Sequence, residues 1–214
     1  GCDSEEMFSG LEIAKAPDFK QHLNKYDVIH IDIQWFLANC ENADEVVSFI
    51  TKSVLDELRE IYPGTLPTEV VRLPDALSRV KERTGQKFII IIDEWDVLIR
   101  DGEVSETIQD EYINFLRGMF KGTEPTKYIQ LAYLTGILPI KKEKAQSAVN
   151  NLDEFTMLQA FGLAPYIGFT ENEVKDLCEK YKKKIKKVKK WYDGYLLDGY
   201  QVYNPKAVVS LMTK

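Results

Sequence analysis

The sequence predicts an α/β fold, a three-layer sandwich with a parallel sheet between helices, and two observations predict it. Three short runs rich in Ile, Val and aromatic residues have the length and composition of strands buried on both faces. The stretches between them carry apolar residues at the three-to-four spacing of amphipathic helices. Strands alternating with helices imply right-handed crossovers and a layered α/β domain.

The first strand is Val28-Ile29-His30-Ile31-Asp32-Ile33, entered from Asn24-Lys25-Tyr26-Asp27. A helix follows from about Ala43 to Tyr62, with Val46, Val47, Ile50, Val54, Leu55, Leu58 and Ile61 on one stripe and Pro63-Gly64 as its stop. A second helix runs from about Pro74 to Thr84, with proline in the first turn and Gly85 at the end. It feeds the second strand, Phe88 to Ile92. Ile108, Tyr112, Ile113, Phe115, Leu116, Met119 and Phe120 mark a further helix before the third strand, Tyr128 to Thr135.

After Thr135 the pattern weakens. The stretch Phe161 to Phe169 is read as holding a last short strand. Thr170-Glu171-Asn172-Glu173 reads as a capping box opening a helix, because Thr170 can cap the amide of Glu173 while Glu173 reaches back. Residues 1–168 are therefore expected to form the sheet core, and residues 169–214 a small helical, lid-like appendage.

Composition narrows the class. The chain has 214 residues, enough for one sizeable domain with an appendage. The longest apolar run is five residues, Phe88 to Ile92, which excludes a membrane-spanning helix. The N-terminal residues lack the basic and apolar regions of a signal peptide. Cys2, Cys40 and Cys178 are widely separated and there are only two histidines, His22 and His30, so no zinc constellation is proposed. Free thiols and a cytoplasmic location are expected. Any metal chemistry must come from carboxylates.

The second strand carries the chemistry. Phe88-Ile89-Ile90-Ile91-Ile92 ends in Asp93-Glu94, and burial of such a strand fixes where its carboxyl end emerges. Open α/β sheets bind ligands at those ends. Asp93 can hold, through a water, the Mg²⁺ that bridges nucleotide phosphates. Glu94 can orient and deprotonate an attacking water. These are the features of the Walker B strand of a P-loop ATPase. An acidic pair can also simply end a buried strand, and the motif alone does not separate the two readings. The third strand ends in Leu134-Thr135-Gly136, where Thr135 can act as a sensor of the same water or serve only as a residue before a glycine turn. Asp32 ends the first strand on the nucleotide side; a polar strand terminus is its default role, and a cofactor-side contact the alternative. Trp95 is read as a cover for the sheet end, with base stacking the alternative. Asn150-Asn151 can line the pocket or cap a helix.

An ordered set of segments resembles the AAA-ATPase-like family of bacterial proteins: Glu6 to Ile13, Phe88 to Asp96, Ala132 to Lys142, Asn150 to Met157, Gly168 to Val174, Trp191 to Tyr195 and Tyr203-Asn204-Pro205. The resemblance implies an ATPase core of the AAA type that binds and hydrolyses ATP with Mg²⁺. It also implies an N-terminal segment with a Gly-Lys-Ser/Thr phosphate-binding loop, and commonly a PD-(D/E)xK nuclease-like domain after the region of Lys214. No GxxxxGK[ST] occurs in this sequence. The chain is therefore expected to be a core lacking its first strand, with no ATP or Mg²⁺ bound by itself and no turnover alone. The open sheet edge left by that strand is expected to favour pairing with another chain. A non-catalytic interaction or regulatory module is the alternative.

Lys180 to Lys190 contains eight lysines in eleven residues. Sequence-independent nucleic-acid binding is one reading. A solvated helix face is favoured, with Tyr181, Ile185, Val188 and Tyr192 turned to the core and no arginine among the basic residues. Trp191-Tyr192-Asp193-Gly194-Tyr195 is read as packing of the appendage around an Asp-Gly turn, with ligand stacking the alternative.

Overall fold

A computed structural model describes residues 4–139, 151–191 and 194–213. Two short helices, α1 (Glu5–Phe8) and α2 (Phe19–His22), precede β1 (Asp27–Asp32). Then come α3 (Ile33–Ala38), α4 (Val46–Ile61), α5 (Leu73–Thr84), β2 (Phe88–Asp93), α6 (Val97–Arg100), α7 (Glu106–Phe120), α8 (Pro125–Tyr128) and β3 (Ile129–Leu134). The three strands form one sheet in the order β1-β2-β3, parallel throughout. The run of isoleucines is the central strand, as its all-apolar sequence requires.

The predicted helices form close to the expected bounds. α5 starts one residue before Pro74 and ends on Gly85, which adopts φ 78 in the left-handed region that a residue with a Cβ avoids. α7 is opened by Ser105, whose hydroxyl accepts from the backbone N–H of Ile108.

Strand period separates two faces. Ile29, Ile90 and Ala132 form one row in register, and Ile31, Ile92 and Leu134 form the next. These pack into one core with Ile50, Val54, Leu55 and Leu58 of α4, Ala76, Leu77 and Val80 of α5, and Tyr112, Leu116 and Met119 of α7. The opposite face carries Val28, Ile89 and Leu131 in one row and His30, Ile91 and Tyr133 in another. Val28, Leu131 and Tyr133 are each more than half exposed. The expected three layers are thus two among the described residues: helices seal one face, and the other keeps an apolar, accessible surface. Among the described residues the outer edge of β3 has no partner strand.

The chain divides into two compact units, Gly1–Leu152 and Asp153–Lys214. The second contains a 3₁₀ helix (Phe161–Tyr166), β4 (Phe169–Thr170), α9 (Glu171–Lys180), α10 (Ile185–Trp191), β5 (Tyr195–Leu197), β6 (Tyr200–Tyr203) and α11 (Pro205–Met212). The Thr170–Glu173 capping box forms as expected. The appendage is not purely helical, because β4, β6 and β5 make an antiparallel sheet. Leu197 pairs with Tyr200 across Asp198-Gly199, whose φ angles of 46 and 84 are those of a two-residue type I′ turn. That Asp-Gly was a hairpin signal in the sequence that the helical reading passed over.

The lysine run is not one helix. α9 ends at Lys180, Lys182 takes φ 54, and α10 begins at Ile185. Val188 is buried as expected and Tyr181 is exposed, contrary to the single-helix stripe; Tyr192 lies outside the described residues. Cys40 and Cys178 are free thiols, and burial pushes the Cys178 thiol up from its ordinary value.

Candidate functional site at the strand ends

Parallel register brings the predicted carboxylates to one end of the sheet. Asp32 lies opposite Asp93 on β1 and β2. The backbone of Thr135 continues β3 beside them: its N–H donates to the carbonyl of Ile92 at 2.9 Å, and its carbonyl accepts from the N–H of Trp95 at 2.9 Å. The hydroxyl of Thr135 then reaches the Asp93 carboxylate and donates to Oδ1. By strand alternation Asp32 and Asp93 share the face of Val28, His30, Ile89 and Ile91. The polar row therefore ends the accessible face.

The carboxylate of Asp32 has a local task. It accepts from the N–H of Trp35 at 2.9 Å and caps α3. The cap is a role that the reading of Asp32 as a plain strand terminus did not include.

Glu94 leaves the strand pattern. Its φ is 53, a left-handed conformation that costs a residue with a side chain about 1 kcal/mol or more. The turn is held by its own N–H donating to Asp93 Oδ1 at 3.1 Å. Instead of joining Thr135, the Glu94 carboxylate accepts from the Nη2 of Arg100 at the end of α6. The structure thus brings Asp93 and Thr135 together and gives Glu94 a cation as partner.

Two residues that the sequence reading did not single out complete the turn. Asp96 is fully buried, and its Oδ2 accepts from the N–H groups of Ile137 and Leu138 at 3.0 and 2.7 Å. Arg100 Nε lies 3.3 Å from the same oxygen. The signals available were the third acidic residue in Asp93-Glu94-Trp95-Asp96 and the glycine after Thr135. Gly136 has no room for a side chain: a Cβ there would meet Trp95 Cδ1 at 2.5 Å and Asp96 Oδ1 at 2.7 Å. Trp95 is 2% exposed, so it covers the sheet end and cannot stack on a base in this conformation. The buried Tyr112 hydroxyl donates to the Trp95 carbonyl at 2.8 Å, and burial, then Asp96, raises the phenol well above its ordinary value.

Asn151 also settles into a structural role, donating to the carbonyls of Phe120 and Gly122 at 3.0 and 2.7 Å beyond the end of α7. Asn150 lies outside the described residues.

Among the described residues no group of three or more His, Cys, Asp or Glu side chains is placed to hold a metal ion. No helix among the described residues is long and apolar enough to cross a membrane.

A protein of Azotobacter chroococcum mcd 1, described as an uncharacterised protein in the vnfD 5′ region, is 24% identical over 146 residues. The match covers 67% of this chain and 28% of that relative, so the chain spans under a third of the relative's length. No solved structure matches. The sequence model of the AAA-ATPase-like family, described as predicted AAA-ATPase, matches residues 2–145 and so takes in all three parallel strands, Asp93, Glu94 and Thr135. The chain belongs to this predicted AAA-ATPase family.

Proposed function

We propose that this chain is the carboxylate-bearing part of an ATP-hydrolysing switch. The Thr135–Asp93 hydrogen bond at the end of a fully apolar central strand carries the reading. Asp93 is the magnesium-side carboxylate, Glu94 the base that takes a proton from the attacking water, and Thr135 the sensor, bonded to Asp93 from the neighbouring strand. Asp32 caps α3 beside them. Bound Mg²⁺ would offset phosphate charge, and the chain's own residues would orient the water and exclude the alternatives.

A phosphate-binding loop must neutralise the β and γ phosphates, and no such motif occurs in this sequence. The accessible face of Val28, Leu131 and Tyr133 and the open edge of β3 support the reading that a further strand and helix of the longer protein pack there. Hydrolysis in that protein would drive movement of the second unit and of any attached nuclease-like domain.

The test is phosphate release with ATP and Mg²⁺. The 214-residue chain is expected to show none above background. The longer protein is expected to turn over ATP, and Glu94→Gln to keep nucleotide binding while losing turnover by about a hundredfold or more. Turnover by the chain alone would refute its dependence on a phosphate-binding loop from elsewhere, and full turnover by Glu94→Gln would refute the assignment of the base.

A further inference from the structure

The polar groups around Glu94 form a continuous chain from that carboxylate to the loop after Thr135. Glu94 accepts from Arg100 Nη2, and Arg100 Nε stands 3.3 Å from Asp96 Oδ2. Asp96 Oδ2 in turn accepts from the backbone of Ile137 and Leu138. One guanidinium therefore spans two carboxylates of different character. The Glu94 side chain is 41% exposed and that of Asp96 is 0% exposed.

An exposed ion pair would ordinarily hold neither partner, since both side chains lose freedom for a screened attraction. Arg100 differs because its inner edge is held by a buried carboxylate that is itself fixed by two backbone N–H groups. The planar fork is ordered before Glu94 joins it, and a preordered partner restrains a side chain far better than a mobile one. The loop runs close against the turn, because Gly136 fits between Trp95 and Asp96 with no space for a Cβ. The left-handed backbone at Glu94 adds the last constraint by turning its side chain out of the alternation of β2.

We propose that Arg100 is a positioning residue for Glu94, indexed through buried Asp96 to the loop after Thr135. The sensor hydroxyl and the water-activating carboxylate then keep one mutual geometry, and a displacement of Thr135–Leu138 is passed to Glu94. Arg100 touches no reacting atom; it acts through Glu94. The proposal rests on the reading of Glu94 as the base, and the experiment has two arms to keep the two apart.

The first arm uses the 214-residue chain, ¹⁵N-labelled, and follows the Arg100 Nε–H resonance, assigned by its loss in Arg100→Lys. Glu94→Gln is expected to shift that resonance and speed its exchange with water. A resonance indifferent to Glu94→Gln overturns the pairing, whatever the protein does with ATP. The second arm uses the longer protein. Arg100→Ala is expected to lower kcat by about tenfold to a hundredfold with KM within about twofold, because misplacing a catalytic group affects the chemical step more than binding. Arg100→Lys should recover part of kcat, and Asp96→Asn should lower kcat beside Arg100→Ala with KM again within about twofold. A rise in kcat for Arg100→Ala would make the pair an inhibitory latch and overturn the proposal, as would an unchanged kcat. If Glu94→Gln leaves turnover intact, the base assignment falls and the positioning role with it, while the first arm still reports the ion pair.

Discussion

The hydroxyl of Thr135 donates a hydrogen bond to the carboxylate of Asp93, joining β3 to β2 by side chains just beyond their last backbone pairing. The bond needs the donor rather than the side-chain shape. Thr135→Val should therefore lower the unfolding free energy by about 1 to 2 kcal/mol, whereas Thr135→Ser, which keeps the hydroxyl, should stay within about 0.5 kcal/mol of the parent. Urea denaturation of the 214-residue chain measures both, and a loss in Thr135→Ser as large as that in Thr135→Val would show that the methyl group matters as much as the hydroxyl.

Gly136→Ala should destabilise the chain through overlap alone. The added carbon would sit 2.5 Å from Trp95 Cδ1 and 2.6 Å from Trp95 Nε1, and Trp95 is buried. Forcing a carbon into a packed site costs about 1 to 3 kcal/mol. The same denaturation assay reads the loss, and near-ultraviolet circular dichroism should show the altered surroundings of Trp95. A variant as stable as the parent would mean that the Trp95 turn is not held where the structure puts it.

Stability should fall on the alkaline side. Burial, then the nearby Asp75 and Glu124, push the Tyr128 phenol from 10.0 up to about 12. Tyr62 is raised too, by burial first and then by its hydrogen bond to Asp27. Below pH 10 the phenol is neutral whether the chain is folded or not, so stability is complete there. Above pH 10 the unfolded chain releases the proton and the folded chain keeps it, so unfolding is favoured until the folded phenol ionises near pH 12. For Tyr128 alone this amounts to about 3 kcal/mol at most. Urea midpoints at about pH 9 and pH 11 measure the fall, and Tyr128→Phe should flatten part of it.

The lysine-rich stretch should not act as a nucleic-acid site at ordinary salt. α10 spans only seven residues, and Lys189 and Lys175 both pair with Glu171 at 2.9 Å, which holds the Glu171 carboxyl below its usual range. Binding without base contacts is lost steeply as salt rises. We expect no gel retardation of random duplex DNA by micromolar chain at about 150 mM salt. Retardation there, abolished by replacing the lysines of α10 with glutamine, would assign the stretch a binding role.

Much of the parallel unit was legible because its signals are local. Five consecutive apolar residues before Asp93 require a strand covered on both sides along its edges, and that strand is the central one. Gly85 and Ser105 stop and start helices by backbone chemistry that needs no distant partner. The antiparallel hairpin of the second unit was equally local, since Asp198-Gly199 specifies its turn. Its strand signal is weak, because the flanking strands are only three and four residues long.

The sequence by itself determined which residues stand at the strand ends: Asp32 and Asp93 close β1 and β2, and Thr135 follows β3. Only the tertiary structure decided what each is bonded to. Strand register, a property of two strands side by side, set Thr135 on Asp93. A single left-handed residue sent Glu94 to Arg100, and burial made Asp96 the anchor of the loop that begins at Gly136. The strand read as an acidic pair on a sheet end is therefore two separate arrangements, because adjacent residues share a peptide bond but not a set of neighbours.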